Sequence, residues 1–255
     1  MVPAPALDSA QALVAVLSTM APSRLETLLS DDPALAAPWI VAAARYGLPA
    51  AQLRLGRMLL EGEGFARDAP AALAWFRLAA QAGDADAANM VGRCLENGWG
   101  AASDTTAAAA WYGRAAEAGS AWADYNLGHL LLNGDGVPRD AAAAFAHYRR
   151  AAERGHPRAM SLVGRCLEQG WGVSPDPKAA RRWYRRSAEA GYFRGQYNYG
   201  SILATDGRWQ DAAAWFEAAL ASAPAQSRAV MARELGASAV AAHRALAAST
   251  ELTPC

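Results

Sequence analysis

Four histidines and three cysteines are the side chains with which this sequence could most readily act as base, nucleophile or metal ligand. They do not converge. His129, His147, His156 and His243 show no His-Glu-x-x-His spacing, and Cys94, Cys166 and Cys255 include no Cys-x-x-Cys pair. An odd number of distant cysteines argues against both a disulfide framework and a zinc site. No Gly-x-x-x-x-Gly-Lys occurs, and no Gly-x-Gly-x-x-Gly follows a strand. Residues 133–140, Asn-Gly-Asp-Gly-Val-Pro-Arg-Asp, lack the ligand spacing and the closing glutamate of a calcium loop. No catalytic residue, metal ligand or cofactor is therefore assigned.

The elements that would position any site come from repetition. Gly56, Gly92, Gly128, Gly164 and Gly200 stand 36 residues apart. Gly62, Gly98, Gly134 and Gly170 keep the same interval, as do Gly83, Gly119, Gly155 and Gly191, and Asp68, Asp104, Asp140 and Asp176. Seven residues after each aspartate comes a ring: Trp75, Trp111, His147 and Trp183. Each unit reads as two helices. In the first, a mid-helix glycine implies close approach of a neighbouring helix, because it otherwise costs about 1 kcal/mol of helix propensity. A Gly-x-Gly loop ends this helix, since glycine takes the left-handed backbone of helix termini. The loops recur in every repeat, which favours termination over phosphate binding. The aspartate is placed to cap the second helix. Trp75, Trp111 and Trp183 are assigned to the core, His147 to a packed ring, and Cys94 and Cys166 to small core residues.

The run from Tyr125 to Gly155, with Tyr-Asn-Leu-Gly, Asn-Gly-Asp-Gly-Val-Pro-Arg-Asp and His-Tyr-Arg-Arg-Ala-Ala-Glu-Arg-Gly, closely resembles the Sel1-like repeat. The resemblance covers about residues 33–224 and implies an all-α fold: a right-handed superhelical solenoid of antiparallel helix pairs with helical caps. The organisation expected is capping helices in 1–32 and a half repeat in 33–48, where Trp39, Ala43, Ala44 and Gly47 fit the second-helix register. Four repeats of 36 residues follow in 49–192, then a tetratricopeptide-like repeat in 193–224 and a capping helix and tail in 225–255. In the last repeat Trp215 comes four residues early, and Asp206-Gly207-Arg208-Trp209 replaces the Gly-x-Gly loop.

Repeats of this type expose the same first-helix positions once per unit along a concave groove. By resemblance to tetratricopeptide repeats, these lie three before, one after and four after the column glycine. The position after it holds Arg57, Arg93, His129, Arg165 and Ser201, and three before it stand Leu53, Asn89, Tyr125, Ser161 and Tyr197. The expected partner-binding residues are Arg57, Asn89, Arg93, Tyr125, His129, Arg165 and Tyr197, suited to an extended peptide. Against this stands a solvated stripe: Glu96 and Glu168 follow Arg93 and Arg165 by three residues, a spacing that permits surface ion pairs. Trp99 and Trp171, inside Gly-Trp-Gly loops, form a second candidate interface, expected to be largely exposed. Arg181, Arg182, Arg185 and Arg186 form a basic stripe read as a solvated convex face.

The 24 basic and 24 acidic residues balance, which disfavours a nucleic-acid coat, although residues 139–194 carry 12 Lys or Arg against 5 Asp or Glu. The apolar stretch Ala12–Leu17 follows acidic Asp8 rather than a cation, so an amphipathic helix is expected rather than a signal peptide. High alanine and arginine with one lysine, Lys178, suggest a bacterial chain, and the absence of a membrane-length apolar run suggests a cytoplasmic one. The function expected is a non-catalytic scaffold or adaptor for a partner protein or peptide, with no nucleic acid. The alternative is a hydrolase of cell-wall-related substrates, as described for distant Sel1-like proteins. Those carry a cysteine pair per repeat, which this sequence lacks.

Overall fold

The computed structural model describes residues 33–237. The capping helices expected in residues 1–32, and the end of the C-terminal helix and tail, lie outside the described residues. These residues form twelve α-helices and no strand, and the chain divides at Arg139 and Asp140 into two compact units. The first holds α1 (Pro33–Arg45), α2 (Pro49–Glu61), α3 (Ala69–Gln81), α4 (Ala85–Asn97), α5 (Thr105–Glu117) and α6 (Ala121–Asn133). The second holds α7 (Ala141–Glu153), α8 (Pro157–Gln169), α9 (Pro177–Glu189), α10 (Phe193–Thr205), α11 (Trp209–Ser222) and α12 (Ala225–Gly236). Within each unit consecutive helices pack on one another, and α4 with α6, and α8 with α10, bring first helices side by side.

The repeat columns act as read. Gly62, Gly98, Gly134 and Gly170 end α2, α4, α6 and α8 in the left-handed region, with φ between 71° and 85°. Asp68, Asp104, Asp140 and Asp176 cap α3, α5, α7 and α9, each carboxylate accepting the amide hydrogen three residues on at 2.8–2.9 Å. The second glycine of the loop has a separate task. A Cβ on Gly100 would lie 2.3 Å from the carbonyl oxygen of Ala69, and one on Gly172 1.9 Å from that of Ala141. Each loop therefore rests on the first residue of the preceding repeat's second helix.

What approaches the mid-helix glycine is a ring rather than a helix backbone. Cβ atoms built on Gly56 and Gly92 would lie 2.4 and 2.6 Å from the rings of Phe76 and Tyr112. In the second unit, those on Gly164 and Gly200 would lie 2.8 and 2.9 Å from Tyr184 and Phe216. This corrects the core assignment. The fully buried ring is the second of each pair, while Trp75, Trp111 and Trp183 are half-buried. Trp111 and Trp183 are covered by the arginine one turn on, with Arg114 4.4 Å and Arg186 4.2 Å from the ring centroids. Alanines fill the rest of the helix contacts, Ala72, Ala79, Ala108, Ala115, Ala144 and Ala151 among them, all without exposed surface.

The shortened last pair keeps the same contact. α10 and α11 are joined through Gly207 at φ 77°, and Phe216 still meets Gly200. At the start, Ala44 and Ile40 of α1 are buried, and Gln52 of α2 donates to the carbonyl of Ala44 at 3.2 Å.

Candidate protein-binding site

In the first unit, Arg57 on α2 is exposed, while Arg93 on α4 and His129 on α6 are half-buried. Arg93 does not pair with Glu96. Its guanidinium carbon lies 5.3 Å from the centre of the Trp99 ring, and Nη1 reaches the sulfur of Met90 at 3.5 Å. The carboxylate of Glu96 is engaged elsewhere: the buried Tyr112 hydroxyl donates to it at 2.5 Å. Burial, and then this carboxylate, hold the phenol pKa well above its ordinary value. The ion pair that local spacing permits is thus replaced by a contact from sixteen residues away.

The second unit repeats the arrangement. Arg165 is exposed on α8 with its guanidinium 4.8 Å from the Trp171 ring centre, and Tyr184 donates to Glu168 at 2.9 Å. The arginine row and the loop tryptophans, two separate candidates in the sequence, are one contact in each unit. Trp99 and Trp171 are half-buried rather than largely exposed as expected, and Trp99 also packs against the core. Cys94 and Cys166, each next to the arginine in sequence, are buried, with their thiols pushed up to about 11 by desolvation, as core residues rather than nucleophiles.

Other predicted residues have different surroundings. Asn89 is only 6% exposed and its side-chain oxygen accepts from Asn126 at 2.9 Å, tying α4 to α6. Tyr197 donates to Glu234 of α12 at 2.6 Å and lies 5.3 Å, centre to centre, from Phe216. Tyr125 stands edge-on to His129 at 4.6 Å. Burial lowers the His129 pKa, with Glu96 opposing. Tyr125 also meets Trp122 at 6.1 Å. Trp122, 46% exposed, was missed by the sequence reading, although its spacing of three and seven residues from Tyr125 and His129 puts all three on one helix face.

On α9, Arg181 pairs with Asp206 and Arg185 with Glu189, so part of the basic stripe is neutralised in place. Among the described residues, no group of three or more His, Cys, Asp or Glu is placed to hold a metal ion, and no helix is long and apolar enough to cross a membrane.

The Sel1 repeat profile matches residues 49–84, 85–120, 123–156 and 157–192, more than half of the chain. The chain belongs to the Sel1 repeat family. A Sel1 repeat protein from Oxalobacter formigenes is similar in structure, at 34% identity and a TM-score of 0.71, over 75% of this chain and 80% of that one. So is c5321, a protective antigen of uropathogenic Escherichia coli with an SLR fold, at 29% identity and a TM-score of 0.72. That match covers 94% of this chain but 52% of c5321, so the chain spans about half its length. No curated protein matches the sequence. The all-α repeat architecture of paired helices is thus that of Sel1 solenoids, a scaffold fold that generally mediates protein–protein interaction rather than catalysis.

Proposed function

We propose that this Sel1 repeat chain is a non-catalytic scaffold or adaptor whose first-helix surfaces hold an extended, acidic segment of a partner protein. The observation that carries the reading is the arginine backed by tryptophan on α4 and on α8. In both, the nearest same-helix carboxylate is bound to a tyrosine and the guanidinium forms no ion pair among the described residues. Guanidinium is built for bidentate contact with carboxylate. Arg57 and His129 would extend the contact in the first unit. On this reading the protein acts in the bacterial cytoplasm, in keeping with the free thiols Cys94 and Cys166.

The test is an affinity capture from the source cell's lysate, comparing the native chain with an Arg93→Glu, Arg165→Glu double variant of unchanged thermal unfolding. A protein held by the native chain and lost by the double variant is the expected result. Equal capture by both, or capture by neither, defeats the reading.

A further inference from the structure

Ten residues of α4 and its loop, Val91–Gly100, are repeated 72 positions later as Val163–Gly172, with the single change of Asn97 to Gln169. One copy lies in each compact unit. The two copies share the same two contacts, although Arg93 is half-buried and Arg165 exposed. The guanidinium-to-indole distances are 5.3 and 4.8 Å, and the tyrosine-to-glutamate distances 2.5 and 2.9 Å; the cysteine after each arginine is buried.

The fold does not require this surface. In the repeat built on α2, Glu63 stands where the tryptophan would be, and in the one built on α6 His129 and Asp135 replace the arginine and the tryptophan. Both α2 and α6 nevertheless end on the same left-handed glycine. The arginine–tryptophan pair is therefore an addition to a complete scaffold. An arginine laid against an indole has fewer rotamers to lose when it binds, and its N–H groups remain suited to a carboxylate. The tyrosine keeps the adjacent glutamate from occupying it. That same glutamate, left negative beside the site, opposes a phosphate dianion more than a carboxylate.

We infer that the protein is bivalent, with two equivalent carboxylate-binding sites, Arg93–Trp99 and Arg165–Trp171, each receiving an acidic segment of the same chemistry. The partner then carries that segment twice, or two partner molecules bind. This rests on the adaptor reading and adds to it the number of sites and their equality.

The experiment uses the full chain labelled with nitrogen-15. The indole N–H signals of Trp99 and Trp171, assigned from Trp99→Phe and Trp171→Phe variants, are followed while a blocked octapeptide of alternating Glu and Gly is added. Both signals should move, with half-saturation concentrations within about twofold of each other, since the arginine, tryptophan, tyrosine and glutamate contacts are shared. Arg93→Gln should abolish the response of Trp99 alone, and Arg165→Gln that of Trp171 alone. The inference is overturned if only one indole responds, if neither does, if the Gln version of the peptide acts equally, or if inorganic phosphate acts more strongly. Loss of capture in the double charge reversal together with response at a single indole would leave the adaptor standing and remove the bivalence. Two equal responses without any captured partner would do the reverse.

Discussion

The pairs α2–α3 and α4–α5 solve the same packing problem with different chemistry. Both press a buried ring from the second helix onto a glycine of the first, Phe76 on Gly56 and Tyr112 on Gly92. Beside Phe76 the first helix supplies buried Leu60, and at the equivalent place beside Tyr112 it supplies Glu96, which accepts the phenol's hydrogen. The apolar choice hides everything. The polar choice brings a hydroxyl to the edge of the core and ties down a carboxylate there. With the carboxylate engaged, Arg93 is left to stack on Trp99. A common backbone frame can thus change what a repeat displays through three linked differences, Leu60 to Glu96, Glu63 to Trp99 and Phe76 to Tyr112.

The strongest way to break the comparison is at what the pairs share. Gly56→Val and Gly92→Val should each lower stability by about 3 kcal/mol, because the ring has no room to withdraw, as urea denaturation would measure. Gly113 of α5, with nothing within 4 Å of a built Cβ, is the internal control. There Gly113→Ala should raise stability by about 0.5–1 kcal/mol. A similar loss at all three positions would mean that the ring contact does not set the effect, since helix propensity alone favours alanine over glycine.

The caps of the first helices extend the comparison to the second unit. Ser120 caps α6 and His156 caps α8, the latter accepting the amide of Ala159 at Nδ1, 3.1 Å away. Burial, and then Arg158, push the His156 pKa down to about 4 from an ordinary 6.5. The unfolded chain therefore takes up the proton first. The stabilisation is complete above pH 6.5 and is lost as pH falls toward 4, by up to about 3 kcal/mol. His156→Ser, which copies Ser120, should flatten this part of a curve of urea midpoint against pH, and an unchanged slope would assign it to other groups.

A smaller effect sharpens the difference between the pairs. Tyr112→Phe should cost about 1 kcal/mol by stranding Glu96. Adding Glu96→Leu, which imports the Leu60–Phe76 solution, should recover most of it. A double-mutant cycle without coupling would mean that the hydrogen bond contributes nothing to stability.

Much of this frame was legible in the sequence, because glycine and aspartate at fixed intervals have few physical roles. The termination of α4 at Gly98 and the capping of α5 by Asp104 follow from backbone chemistry within a few residues. The choice between adjacent rings was not legible. Trp111 and Tyr112 are both large and apolar, and only the position of Gly92 on another helix decides that Tyr112 goes inside. The partner of Glu96 was hidden for a related reason: a neighbour at three residues is visible in the chain, whereas Tyr112 arrives through the fold. A partial signal was present even so, since Leu60 accompanies Phe76 while Glu96 and Glu168 accompany Tyr112 and Tyr184, although Leu132 accompanies Tyr148. Tyr197 shows the limit of register arguments, for it stands at a groove position and is engaged by Glu234 from a helix outside the repeat pattern.

The contact between α9 and α10 departs from its counterparts in one detail. Ser187 stands where Ala79, Ala115 and Ala151 stand elsewhere, and its hydroxyl donates to the carbonyl of Pro157 at 2.8 Å. The residue facing it is Gly195, where a Cβ would lie 2.2 Å from that hydroxyl oxygen, whereas Ala87, Ala123 and Ala159 fill the same position in other repeats. The repeats are consequently not interchangeable parts. A chimaera that grafts α10 from an alanine-bearing repeat onto α9 would force two side chains into one space, so a viable exchange must cut inside the helix pairs and carry both halves of the joint together.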